Sequence, residues 1–223
     1  MMMKIIAVIS QKGGAGKTTI AIHLATAAHL AGYEAAIFDL DPQATAETWG
    51  QWRDDRPPEV VPAKGATLAR NLERARAAGA GLIVLDTPGA AEGAALAAAE
   101  AADLILIPCR PRSFDLAAIR QTASLARSTG KPAFLVFNAT TTRPGQIRAD
   151  AREIAAGIGL EIAPPRLAER AAYHKATEEG RTAQEVEPNG KAAAEVTALW
   201  EWTCERLNLL TRKSANLKIG DRS

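Results

Sequence analysis

Gln11-Lys12-Gly13-Gly14-Ala15-Gly16-Lys17-Thr18-Thr19 follows the apolar run Ile5 to Ser10 and precedes the helical pattern Ile20, Ala21, Leu24, Ala27. An apolar strand, a glycine-rich turn and a helix, in that order, make a phosphate-binding loop. Its glycines let successive backbone N–H groups turn inward around phosphate oxygens, and the helix amino terminus adds partial positive charge. The candidate cradle is Gly13, Gly14, Ala15, Gly16, Lys17, Thr18 and Thr19, with Lys17 placed to neutralise the terminal phosphates and Thr18 to offer its hydroxyl to Mg2+. One departure stands out: the usual first glycine of G-x-x-x-x-G-K-[ST] is Gln11 here, and a second lysine, Lys12, precedes the glycine pair.

Further short apolar runs follow the same pattern. Ala35 to Leu40, Leu82 to Asp86, Leu104 to Pro108, Ala133 to Asn138 and Leu160 to Ala163 read as buried strands, separated by alanine-rich helical stretches. Such alternation predicts a mainly parallel, twisted α/β sheet with helices on both faces, in a single P-loop domain spanning residues 1–210. Ligands of such sheets bind at the carboxyl ends of the strands, where Lys12 to Thr19, Asp39, Asp41, Asp86 and Asn138 all fall. Arg53 to Pro62, with Pro57, Pro58 and Pro62, reads as a surface connection, and a last helix is expected from about Lys191 to Leu209. Residues 211–223 are polar and expected to be a frayed, disordered tail.

Composition narrows the class rather than the task. At 223 residues the chain suits one compact domain, and its net charge of +2 announces no nucleic-acid binder, so any DNA contact must come from a local patch. Cys109 and Cys204 form neither a disulfide framework nor a metal motif and read as inert thiols of a reducing cytoplasm. No segment reaches the roughly 20 apolar residues needed to span a bilayer.

Two acidic motifs complete the site. In Phe38-Asp39-Leu40-Asp41-Pro42-Gln43 two carboxylates leave one strand end toward the same crevice, where a cation, a catalytic task or a helix cap could employ them. Leu82-Ile83-Val84-Leu85-Asp86-Thr87-Pro88-Gly89 is an apolar strand ending in an aspartate suited to hold Mg2+, followed by a loop able to sense a γ-phosphate. The strand end Phe137-Asn138-Ala139-Thr140-Thr141 lacks the N-K-x-D of guanine-specific proteins, which favours adenine.

The form KGGxGKTT resembles the deviant-Walker family that includes ParA-type partition ATPases, MinD-type cell-division ATPases and nitrogenase iron protein. Ile107 to Leu116 is similar to the P-x-x-P-S-x-x-D segment of small ParA proteins, and Arg166 to Tyr173, Gly180-Arg181-Thr182 and Pro188 to Ala193 also look like that group. The likeness runs from about residue 3 to residue 208. It implies that Lys12 reaches across a nucleotide-sandwich dimer, that Asp41 orients the attacking water, that Asp39 sits near the metal shell and that Asn138 and Pro165 lie on the adenine side.

The implied activity is a switch. ATP with Mg2+ joins two monomers, the dimer binds DNA without sequence preference, and a ParB-like or adaptor partner triggers slow hydrolysis and release. Arg166, Arg170, Lys175 and Lys191 are the candidate DNA contacts, though Glu169, Glu178, Glu179, Glu185 and Glu187 lie among them and an ordinary solvated face fits as well. The protein is expected in the cytoplasm, on the nucleoid when ATP-bound. With the P-loop beginning by residue 12, operator recognition by an amino-terminal helix-turn-helix is not expected. A MinD-like membrane helix would need a continuous apolar face, which Ser214, Asn216 and Gly220 interrupt, so stable membrane association is not expected. Iron-protein chemistry would need companions for Cys109 or Cys204. Plasmid, chromosome, carboxysome and chemoreceptor cargo remain open from the sequence.

Overall fold

The computed structural model describes residues 2–89, 91–110, 116–140 and 157–209. Alternate residues of the central strands face opposite layers, as the pleat requires. Ile6 and Val8 of β1 (Lys4–Val8) enter one core, and Ile5 and Ala7 enter the other. The same division runs through Leu82/Val84 against Ile83/Leu85 in β4 (Leu82–Asp86) and Leu104/Leu106 against Ile105/Ile107 in β5 (Leu104–Cys109). These strands are apolar throughout because both faces are covered, the mark of a parallel α/β sheet.

The other strands are β2 (Ala35–Asp39), β3 (Glu59–Pro62), β6 (Ala133–Phe137) and β7 (Glu161–Ile162). All seven run parallel in the order β3-β2-β4-β1-β5-β6-β7. One face carries α1 (Lys17–Leu30), α2 (Thr45–Gln51), α6 (Ala171–Glu178), α7 (Ala183–Val186) and α8 (Lys191–Leu207). The opposite face carries α3 (Leu68–Ala77), α4 (Glu92–Ala101) and α5 (Leu116–Ser128). The predicted parallel sheet with helices on both faces is what the structure shows.

Helix α1 lies against β4 and α8, and Ile20, Ala21, Ile22, Leu24, Ala25 and Ala28 are all buried. Its alanines allow close approach on several sides, so the helix that starts the phosphate loop is fixed by packing all round. α8 ends at Leu207, before Asn208, whose left-handed φ of 53° closes the helix two residues short of the expected end.

One expectation is corrected. Arg53 to Pro62 reads from the sequence as a surface connection, yet Glu59–Pro62 is an edge strand in register with β2 from Ala36↔Glu59 to Asp39↔Pro62. Its prolines hid it, but they stand where a sheet edge tolerates them. Ala63 N–H donates inward to the Asp39 carbonyl at 2.8 Å, so by alternation Pro62 occupies an outward position where an N–H would otherwise be left open. Pro111 to Asp115 of the P-x-x-P-S-x-x-D likeness, Thr141 and the expected tail 211–223 lie outside the described residues.

Candidate nucleotide site

The loop between β1 and α1 turns by two left-handed glycines, Gly14 at φ 69° and Gly16 at φ 95°. At Gly16 a side chain is excluded twice over, because a Cβ there would also collide with the Asn138 side-chain amide. Lys17, only 7 % exposed, donates from Nζ to the Lys12 carbonyl at 3.4 Å. Burial holds its ammonium below the usual pKa, and the charges of Asp86 and Asp41 oppose that shift. The loop forms one wall of a 760 Å³ cleft whose other wall carries Asp41, Gln43 and Thr45, with Pro88, Gly89 and Arg110 at its rim.

Asp39 and Asp86 end β2 and β4 as register partners, and Val8 of β1 pairs with Asp86 from the other side. Asp86 is fully buried, and neither carboxylate oxygen has a hydrogen-bond partner. Burial pushes its pKa up to about 7, with the nearby Thr18 hydroxyl and Lys17 opposing the rise and Asp39 and Asp41 adding to it. An orphaned carboxylate beside a threonine hydroxyl fits a hard cation or its bound water, which would supply the missing partner.

The folded chain binds the Asp86 proton more tightly than the unfolded one, so stability falls as pH rises from about 4 through about 7. Asp86→Asn should therefore stabilise the nucleotide-free protein at pH 8, by an amount on the order of a few kcal/mol, and so raise its melting temperature. It should also remove any stabilisation by Mg2+ with nucleotide. A thermal melt that drops on this substitution would contradict the assignment.

Asp39 ends β2 directly beside Asp86, where the resemblance sets it near the metal shell. Its Oδ1 accepts the Asp41 N–H at 2.9 Å and its Oδ2 the Glu47 N–H at 3.0 Å, so both oxygens shape the loop that enters α2. These two bonds tie the first turn of α2 to the end of β2. Asp41 is half-buried, lines the cleft and accepts the Gln43 N–H at 3.0 Å.

Asn138 is buried behind the loop, donating from Nδ2 to the Ala15 carbonyl at 3.0 Å and accepting the Ala139 N–H at 2.9 Å. Pro165 is half-buried in a segment that runs beside it, where Leu167 N–H meets the Phe137 carbonyl at 2.9 Å. Neither residue lines the phosphate cleft. Thr87 and Gly89, singled out from the sequence only as part of a γ-phosphate-sensing loop, also support the phosphate loop: Thr87 donates to the Val8 carbonyl at 3.0 Å, and a Cβ on Gly89 would come within 3.0 Å of Gly13 N. Only the loop-to-loop approach in space reveals that glycine's purpose.

Among the basic candidates, Arg166, Lys175 and Lys191 are exposed, whereas Arg170 is committed to Glu195 at 2.6 Å. Both cysteines are buried and neither forms a disulfide, and burial pushes the Cys204 thiol up to about 12, helped by Glu201 and Glu205. Among the described residues no cluster of histidine, cysteine and carboxylate suits a metal, and no helix is long and apolar enough to cross a membrane.

A parallel sheet with a glycine loop at the end of its central β1 and acidic strand ends on β2 and β4 defines a P-loop nucleotide-binding domain. Residues 6–183 match the CobQ/CobB/MinD/ParA nucleotide binding domain, and the chain belongs to that family. It is 40 % identical over 131 residues to the maintenance of carboxysome distribution protein A of Gloeobacter kilaueensis, covering 55 % of this chain and 56 % of that relative. It is 28 % identical over 183 residues to protein ParA of Rhizobium radiobacter, covering 77 % of this chain and 81 % of that protein. The septum site-determining protein MinD of Pyrococcus horikoshii, solved with Mg-ADP, superposes with a TM-score of 0.72 at 16 % identity, covering 91 % of this chain and 96 % of that one. The resemblance to the ParA/MinD group, carried in the sequence by Lys12 to Thr19, holds.

Proposed function

We propose that the chain is an ATP-hydrolysing switch that dimerises around MgATP and positions DNA or a cargo carried on DNA. The observation that carries this reading is the cleft itself. Phosphate-loop backbone and Lys17 form one wall, Asp41 stands on the other, and the orphaned Asp86 lies among them. Thr18 and Asp86 would hold Mg2+, which supplies charge neutralisation between the terminal phosphates. Lys17 neutralises the same phosphates from the helix side, Asp41 aligns the attacking water, and Lys12 serves the phosphates of the partner subunit's nucleotide. Asn138 and Pro165 stand on the side assigned to adenine.

A second copy of the chain, nonspecific DNA and a ParB-like or adaptor protein that stimulates slow hydrolysis are the proposed partners, in the cytoplasm and on the nucleoid. ATP can favour the DNA-bound dimer only by binding it better than the monomer. The Gloeobacter relative favours a protein cargo such as carboxysomes, whereas the Rhizobium relative favours a partitioned DNA. A membrane-bound MinD-like variant would show instead as ATP-dependent sedimentation with liposomes.

Filter binding tests the DNA arm. Wild-type protein with MgATP should retain duplex DNA at low salt and release it with ADP, and Lys191→Glu with Arg166→Glu should weaken retention about tenfold and flatten its salt dependence. Retention that ignores both substitutions would remove these residues from the interface.

A further inference from the structure

The two walls of the cleft belong to two helices: α1 begins at the phosphate loop, and α2 begins just after Asp41. Both are clasped, away from those ends, by the turn Gly180 to Glu185. From α1 the contact is His23, which is 1 % exposed. Its Nδ1 lies 2.7 Å from the Thr19 carbonyl, which can only accept, so Nδ1 carries the proton and Nε2 accepts the Ala183 N–H at 3.2 Å. Gln184 Nε2 donates back to the His23 carbonyl at 3.1 Å, and the Tyr173 ring meets the imidazole edge to face at 5.1 Å. The histidine thus bonds the first turn of the phosphate-loop helix on one side and the brace on the other.

From α2 and the turn that follows it the contacts are Trp49 and Arg53. Trp49 Nε1 donates to the Arg181 carbonyl at 3.1 Å. Arg53, 1 % exposed, donates from Nη1 to the Gly180 carbonyl at 2.9 Å and to Glu185 Oε2 at 3.1 Å, and from Nη2 to Glu185 Oε1 at 2.9 Å. Its Nε bonds the Arg56 carbonyl, a further Nη2 contact goes to Pro57, and the guanidinium lies over the Trp49 ring at 4.4 Å. Glu185 in turn accepts the Thr182 N–H at 2.7 Å, completing a capping box. Gly180, at φ 62°, allows this close docking, since a Cβ there would collide with the Trp52 carbonyl.

A buried guanidinium with this many partners adds little stability over a well-packed apolar replacement, because its desolvation offsets most of the Coulombic gain. What it supplies is geometry: fixed donors at fixed distances. α2 is therefore held at both ends, by Asp39 on the side of Asp41 and by this turn at its far end.

We propose that the turn 180–185 braces α2 against α1 and so sets Asp41 against the phosphate loop, with His23 and Arg53 as positioning residues for hydrolysis. This rests on the ATPase reading above. Two substitutions separate the two bonds of His23: His23→Asn keeps a donor toward Thr19 but loses the acceptor for Ala183, whereas His23→Gln keeps an acceptor toward Ala183. His23→Asn should lower turnover about tenfold while ATP affinity stays within about threefold, and His23→Gln should restore most of the turnover. Trp49→Phe, which removes only the bond to Arg181, should shift turnover the same way, and it carries the comparison should His23→Asn fail to fold.

Equal turnover of His23→Asn and His23→Gln, or a lower melting temperature with unchanged turnover in Trp49→Phe, overturns the proposal while leaving the ATPase reading intact. A wild-type protein that binds MgATP and never hydrolyses it overturns both.

Discussion

Lys17→Ala is expected to lose nucleotide binding by about 100-fold or more, measured as the dissociation constant for MgATP or MgADP by calorimetry. The size of the effect comes from where the ammonium sits. Lys17 is buried at the floor of the loop, its charge already disfavoured by desolvation and supported by Asp86, Asp41 and one long hydrogen bond to the Lys12 carbonyl. Phosphate oxygens would give that cation close anionic partners, so the binding free energy includes relief of a desolvated charge. Removing the lysine also leaves Asp86 without an opposing positive charge and adds to the cost of bringing polyphosphate near it. The nucleotide-free variant should nevertheless fold, because no core residue is touched. Near wild-type affinity in Lys17→Ala would mean that the cleft is not where phosphates bind.

The phosphate loop, the parallel sheet and the acidic strand ends were legible because each is local. Ile5 to Ser10 and Leu82 to Asp86 announce buried strands by continuous apolar sequence, and the glycines of the loop announce a turn that only they can make. β3 was not legible, because Pro57, Pro58 and Pro62 read as breakers until the sheet edge shows that Pro62 faces outward. Asp39 was legible as an acidic strand end but not in its hydrogen bonds, since which donors it meets depends on how Asp41 to Glu47 folds back over it. His23 and Arg53 gave no signal at all. A histidine in an alanine-rich helix and an arginine before a proline pair look ordinary, and their partners lie more than a hundred residues away in sequence. Function in this site is thus read from local motifs, while the geometry that makes the motifs work is distributed over contacts that only the folded chain assembles.

Asp41→Ala is expected to separate binding from hydrolysis, slowing turnover by about 100-fold or more while ATP affinity stays within about threefold. Asp41 lines the same cleft as the phosphate loop but is not one of the loop residues whose backbone N–H groups form the cradle. Its one hydrogen bond within the loop, from Gln43 N–H, is to an exposed backbone group that water can satisfy. Asp39→Ala should behave differently. It orphans two N–H groups that set the course of α2, so it should lower the melting temperature as well as turnover. In light scattering, Asp41→Ala with MgATP should accumulate as the dimer, because the step that ends the ATP-bound state has been slowed. If it hydrolyses ATP at the wild-type rate, water alignment belongs to another residue of the cleft. If it fails to bind ATP, Asp41 contributes to the cradle, and the division of labour between the two walls is wrong.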